Sequence, residues 1–191
     1  MFTGIISNTT NVTYFSESEN TLSISNVLNN TPLGTSISVD GVCLTVSDIN
    51  EDIISFDISE ETIEKSIINS YTNDSVVNLE LPTTPSSFLS GHIVLGHIDS
   101  IGELSDIENI KPGLWNYYFS INNNKFIVDK GSVAINGISL TTNVVDPDHF
   151  YVSIIKETYD KTNLSNLDTK KNIMVNIEYD IIGKYVYKFT K

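Results

Sequence analysis

The 191-residue chain contains no arginine; all eleven of its basic residues are lysine. Sites that depend on a bidentate guanidinium fork, arginine phosphate clamps among them, are therefore excluded. Basic charge is scarce overall, with 24 acidic residues and a formal net charge of −13. Nucleic acid and anionic membrane are both polyanions and do not fit that balance as partners. Cysteine is nearly absent as well. Cys43 stands alone, so no internal disulfide forms and no multi-cysteine zinc site can be built. A reducing cytoplasm is the expected compartment. Of the three histidines, His92 and His97 are five residues apart, which puts them on opposite faces of a regular strand and argues against a metal site. No run approaches the ~20 apolar residues of a membrane span. Met1–Ile6 has neither the basic start nor the long apolar core of a secretory signal. There is no GxGxxG phosphate loop either.

What the chain does contain, it contains twice. Asp40-Gly-Val-Cys-Leu-Thr-Val46 is followed about half a chain later by Asn136-Gly-Ile-Ser-Leu-Thr-Thr142. Each copy opens on an Asx-Gly pair, suited to a tight turn with positive φ. Each continues as an alternating run, so one strand face receives Val42, Leu44 and Val46, or Ile138, Leu140 and Thr142. The other face receives Cys43 with Thr45, or Ser139 with Thr141. A thiol or hydroxyl two residues before a threonine is a small polar cluster able to face a ligand.

The surrounding elements repeat in the same order. Short β-branched stretches at Phe2–Ile6, Val12–Phe15, Thr21–Ser25, Ser36–Val39, Ile53–Ile58 and Val76–Leu81 read as strands, with Asn8–Asn11 as a turn. Ser59 is a plausible N-cap, and Ile63, Ile67 and Ile68 give helical spacing, so one short helix is expected over about Glu61–Ser70. In the second half, Val94–Ile98 answers Phe2–Ile6, Lys156–Thr162 answers Glu60–Ser66, and Val175–Glu178 answers Val77–Glu80. The offsets drift slowly, from 92 for Gly4 and Gly96, to 96 for Cys43 and Ser139, to 98 for Asn78 and Asn176. Collinear matches of this kind mark a tandem duplication with small loop changes. Pro82-Thr-Thr-Pro-Ser-Ser87 reads as the linker. The organisation expected is a first barrel over 1–87, a second over 88–180 and a tail over 181–191. In the tail, Ile182, Tyr185, Val186 and Phe189 fit a helix, while Tyr185, Tyr187 and Phe189 also alternate as a strand would.

Taken together, the N-terminal MFTGI, the DGVCLTV and NGISLT pair, GHIVLGHID, the KET helix start and VNIEYDIIGKY resemble riboflavin synthase over essentially the whole chain. The resemblance implies an all-β fold of two tandem six-stranded antiparallel Greek-key barrels, each with a short helix, plus a short C-terminal helix that assembles a homotrimer. It also implies a cofactor-free dismutation of two molecules of 6,7-dimethyl-8-ribityllumazine to riboflavin and 5-amino-6-(ribitylamino)uracil. One lumazine is expected per barrel, with the active site between the first barrel of one subunit and the second barrel of its neighbour. Lumazine synthase is a further expected partner.

Carried over by motif, the first barrel's contacts are expected at Gly4, Ile5 and Ile6, at Cys43, Leu44 and Thr45, and at Asp57, Ile58, Ser59, Glu60, Glu61 and Thr62. The second barrel's are expected at Gly96, His97 and Ile98, at Ser139, Leu140 and Thr141, and at Ser153, Ile154, Ile155, Lys156, Glu157 and Thr158, with Lys130 reaching across the subunit boundary. The catalytic set implied is Phe2, Cys43, His97, Ser139, Thr141 and Asp180. His97 is the titratable group expected to handle the acidic C7 methyl protons of the lumazine. Cys43 or Ser139 is expected to add to C7 or to orient a water there. Two departures from the family pattern are Ser90, where a second glycine is usual before Gly91-His92, and Asn136 in place of the second motif's aspartate. The rival readings are a non-catalytic lumazine or flavin carrier of the same fold, the flavin-binding barrel of an oxidoreductase, and a structural β-barrel interaction module. The absence of arginine and of GxGxxG speaks against the second, and the duplicated polar faces against the third.

Overall fold

The computed structural model describes residues 1–122, 125–167 and 173–190. Lys191, the last residue of the tail, lies outside them. In the first half β1 (Asn8–Ser16), β2 (Thr21–Ser25), β3 (Ser36–Val39), β4 (Val42–Ile49), β5 (Ile53–Asp57) and β6 (Val76–Glu80) close an antiparallel barrel in the order β1-β2-β5-β4-β3-β6. In the second, β7 (Ser100–Lys111), β8 (Leu114–Ser120), β9 (Ser132–Ile135), β10 (Ile138–Asp146), β11 (His149–Ile155) and β12 (Ile173–Tyr179) close in the matching order β7-β8-β11-β10-β9-β12. The expected pair of six-stranded antiparallel barrels is what the chain forms.

The alternation in the duplicated motif sets the barrel interiors. Val42, Leu44 and Val46 are buried in the first core, with Cys43 half-buried and Thr45 exposed on the other face. Ile138, Leu140 and Thr142 are buried in the second barrel, and Ser139 and Thr141 face outward in the same way. Each motif is entered through a two-residue hairpin in which Asp40 and Gly41, or Asn136 and Gly137, all have positive φ. That is the type I′ turn that matches the right-handed twist of the strands, and Asn or Asp with Gly tolerates it best.

Three sequence expectations need correction. Asn8–Asn11 is part of β1, not a turn, and pairs with Leu79–Val76 of β6. Pairing to a neighbouring strand outweighs the local turn preference of asparagine and threonine. Phe2–Ile6 forms no regular strand; Phe2 alone makes an isolated bridge, to Val94. The helix expected over Glu61–Ser70 is broken into α1 (Glu60–Lys65) and a 3-10 turn over Ile67–Ser70, with Ser66 extended between them. The second half has α2 (Lys156–Lys161) and α3 (Leu164–Leu167) at the equivalent place. The tail is α4 (Ile181–Phe189), capped by Asp180, whose side chain accepts from the Ile182 N–H at 3.0 Å. No helix among the described residues is long and apolar enough to cross a membrane.

Candidate functional site

The two halves meet around a pair of equivalent residues. Phe2 N–H donates to Val94 O at 2.7 Å and Val94 N–H returns a bond to Phe2 O at 3.1 Å. Phe2 is fully buried there with Val94 and Ala134, and Cys43 packs against them. From this junction each leader crosses to the other barrel. The Ser139 N–H donates to Gly4 O at 2.8 Å, and the Cys43 N–H donates to Gly96 O at 2.9 Å. Ile6 packs on the second core and Ile98 on the first. The grouping expected from sequence, Gly4–Ile6 with Cys43 and Gly96–Ile98 with Ser139, is therefore exchanged. Gly4 and Gly96 must be glycine for two reasons. Their φ values are 77° and 81°, and a Cβ would fall 2.5 Å from the Cβ of Ser139 or of Cys43.

A buried carboxylate holds each leader in its bend. Glu80 accepts from Thr3 N–H at 2.7 Å, Thr3 O–H at 2.8 Å and Gly4 N–H at 2.9 Å. Glu178 accepts from the N–H groups of Leu95, Gly96 and His97 at 2.7, 2.8 and 3.0 Å. Burial pushes both carboxyls above the usual range, and these donors pull them part of the way back.

Beside Cys43 a cavity of about 350 Å³ is lined by Val42, Cys43, Glu61, Thr62, Lys65, Ser66, Gly96, His97 and Ile98. That volume lies in the range of small-molecule sites. Cys43 and His97 thus share one pocket. Of the expected first-barrel contacts, Glu61 and Thr62 line it, whereas Ile58 belongs to the core and Glu60 lines a separate acidic cleft with Glu17, Asn20, Ile63 and Glu64. Ser59 caps α1 through Thr62 N–H at 3.2 Å, and Asp57 is an exposed strand end. Thr45 is exposed further along β4, and Leu44 points into the core. Lys65 and Ser66 belong to the lining without having been expected. Lys65 is paired with Glu61 at 2.5 Å, and both are largely exposed.

The second barrel repeats these local interactions with different groups. Ile5 is exposed at the leader's tip. Glu157 pairs with Lys161 at 2.6 Å as Glu61 does with Lys65. Thr158 O accepts from the Thr162 hydroxyl at 2.8 Å, as Thr62 O does from Ser66 at 2.6 Å. Ile155 stands where Ser59 caps α1 and provides no side-chain cap. Ile154 and Leu140 are core residues. Ser153 donates to Asn116 at 2.8 Å, and Lys156 pairs with Asp160 at 2.5 Å.

The histidine in contact with Ser139 is His92. Its Nδ1 lies 2.7 Å from Ser139 Oγ, and its Nε2 is buried without a hydrogen-bond partner. Burial lowers its pKa below the usual histidine value, partly offset by the negative charge of Asp180. The repeat gives no signal for His92, because an offset of 92 has no counterpart for it in the sequence. Lys130, at positive φ, bonds through its ammonium to Asn143. Asp180 borders a third cavity, about 390 Å³, between α4 and residues 125–132. A further cavity, about 470 Å³, is lined by Ile101, Glu103, Ser120, Ile121, Asn122, Asp148 and Met174 and includes nothing of the duplicated motif. Among the described residues, no group of histidine, cysteine and carboxylate side chains is arranged to hold a metal.

The family model for the lumazine binding domain matches the chain twice, over residues 3–82 and 95–180. The chain is 36% identical to riboflavin synthase of Actinobacillus pleuropneumoniae, over 99% of this chain and 89% of that one. With riboflavin synthase of Chlamydia pneumoniae the identity is 37%, over 96% and 92%. Among solved structures, LumP complexed with riboflavin superimposes with a TM-score of 0.84 at 25% identity, covering 94% of this chain and 99% of that one. LumP complexed with 6,7-dimethyl-8-(1'-D-ribityl) lumazine gives 0.82 at 25%, over 93% and 98%. With two lumazine-binding domains in tandem and this identity along nearly its full length, the chain belongs to the riboflavin synthase family.

Proposed function

We propose that the chain catalyses the dismutation of two 6,7-dimethyl-8-ribityllumazine molecules, one giving a four-carbon unit to the other, to yield riboflavin and 5-amino-6-(ribitylamino)uracil. This is a transferase reaction that needs no cofactor, and the cytoplasm suits it. The observation that carries the reading is the pair of related but chemically unequal half-sites, one with Cys43 and His97, the other with Ser139 and His92. A reaction between two copies of one molecule requires one copy to act as donor and the other as acceptor. Two related half-sites with different groups supply that difference.

The chemistry follows from the groups present. In the tautomer carrying its proton on Nε2, His92 accepts the Ser139 O–H through Nδ1 and raises the nucleophilicity of the hydroxyl towards the electron-poor C7 of the lumazine. His97 is open to solvent beside Cys43 and is placed to exchange the C7 methyl protons of the other molecule. Aligning two reactants contributes more than either proton transfer: about 7–11 kcal/mol against a factor on the order of 10²–10⁴.

A homotrimer is part of the proposal. The α4 face of Ile182, Tyr185, Val186 and Phe189 is exposed in the single chain, as an assembly helix requires. In the trimer the Cys43 pocket of one subunit faces the Ser139 site of the next, with Lys130 at the boundary. Lumazine synthase, which supplies this substrate, is a natural partner. Incubation of the purified protein with the lumazine as sole reactant tests the reading. Riboflavin production supports it, and a bound, unchanged lumazine would establish a carrier instead.

A further inference from the structure

Between the two barrels lies a buried polar network that the chemistry above does not use. The loop that follows the pocket helix of each barrel is fastened to the other barrel. Ile67 N–H, just after α1, donates to Asn176 Oδ1 of β12 at 2.8 Å. Asn163 N–H, just after α2, donates to Asn78 Oδ1 of β6 at 2.7 Å. Asn78 and Asn176 also donate through Nδ2 to the carbonyls of Asn136 and Asp40, each at 2.9 Å. So far the network has the symmetry of the duplication.

The second half then departs from it. Asn163 has a side-chain amide where its counterpart is Ile67, and that amide makes three further bonds. Its Oδ1 accepts from Asn78 at 2.9 Å, and its Nδ2 donates to Asp40 Oδ1 at 3.0 Å and to Val76 O at 3.2 Å. Asp40 is nearly inaccessible, and its carboxylate also takes the Asn78 N–H at 2.8 Å and the Tyr71 hydroxyl at 2.9 Å. Removing the Asp40 carboxyl would leave these buried donors without an acceptor, which costs more than the net worth of the bonds themselves. From Asn163 the path to the site is short. Thr162 precedes it, and the Thr162 hydroxyl holds Thr158 O on α2.

We propose that Asp40, a residue of the first barrel, is a positioning residue for the ligand helix of the second barrel. Through Asn163 it fixes where α2 stands against the first barrel, while the start of the loop after α1 is fastened by the bond from Ile67 to Asn176, and Asp40 meets that loop at Tyr71, beyond the 3-10 turn. The departure of Asn136 from aspartate fits this division, since its partner loop carries Ile67 and offers no amide to receive. The inference rests on the reading of both pockets as lumazine sites.

Hydrogen exchange read separately at residues 60–66 and 156–162, with and without 6,7-dimethyl-8-ribityllumazine, tests it. In the absence of ligand, Asp40→Ala is expected to raise exchange over 156–164 and leave 60–66 unchanged. Ligand-dependent protection over 156–162 should then need roughly tenfold more lumazine, with the midpoint at 60–66 unmoved. Asp40→Asn keeps an Oδ1 acceptor for Asn78 and Asn163 and should restore both readouts. Asn176→Ala should do the reverse, loosening 60–66. Equal weakening of both segments by Asp40→Ala, or no rescue by Asp40→Asn, would overturn the proposal. If the wild type shows no ligand protection at all, the pocket reading fails, while the ligand-free exchange still decides the anchoring.

Discussion

Gly4 and Ser139 belong to different halves of the chain, and the carbonyl oxygen of one accepts the N–H of the other at 2.8 Å. The same bond between Gly96 and Cys43, at 2.9 Å, makes the exchange of leaders reciprocal. Neither barrel therefore builds its ligand site alone. His97 reaches the Cys43 pocket only because its leader crosses over.

Gly96→Ala should damage the first pocket more than any exposed lining residue does. A non-glycine residue at this φ costs about 1–3 kcal/mol in backbone strain, before the collision with Cys43 is counted. Urea unfolding should show at least that loss of stability. Turnover should fall further than in Glu61→Ala, whose carboxylate is exposed.

The Ser139–His92 pair makes a distinct kinetic prediction. Because burial keeps the His92 pKa below the ordinary value of about 6.5, the part of the low-pH loss of turnover that His92 causes should lie below that value and should disappear in His92→Gln. His92→Gln should lower kcat with little change in KM. Ser139→Ala and His97→Ala should each impair turnover more than Thr45→Ala, since Thr45 is exposed and lines no cavity at Cys43. Steady-state profiles from pH 5 to 8 check all three.

Asp40 should make stability depend on pH. Burial pushes its pKa up to about 7, against hydrogen bonds from Asn78, Tyr71 and Asn163 that oppose the shift. The folded state then holds a proton that the unfolded chain releases near 3.8. Its stabilising contribution is full below that value and is lost as pH rises towards 7. The difference in denaturation midpoint between wild type and Asp40→Asn should change with pH across this window and be flat above it. A difference constant from pH 4 to 8 would contradict the assignment.

The proposal that the active site is shared between subunits predicts complementation. A chain damaged at Cys43 and His97, mixed after subunit exchange with one damaged at Ser139, should regain part of the wild-type activity. Each alone should stay inactive. A mixture no more active than its components would place the complete site within one subunit.

Most of the fold could be read from the chain because its strongest signals are local. Asx-Gly turns and period-2 alternation are enough to place β4 and β10 and to say which side of each is inside. The break at Ser66 is not local: it follows the bond from Ile67 to Asn176, 109 residues away. For the same reason Asn8–Asn11 read as a turn, although β6 makes it a strand. Duplication shows which residues correspond, but not which barrel each packs against, so the crossing of Gly4–Ile6 and Gly96–Ile98 was invisible. For His92 the sequence carries no such signal, because the first repeat has no residue to match it, whereas the family pattern singles out His97.

In the reaction proposed above, two unequal half-sites act on two copies of one substrate. Its most direct test is the stoichiometry of turnover with 6,7-dimethyl-8-ribityllumazine as the only reactant and no added cofactor. Riboflavin is expected to appear at half the rate at which the lumazine disappears, with 5-amino-6-(ribitylamino)uracil formed in equal amount. Lumazine bound by both barrels with no riboflavin formed would contradict it.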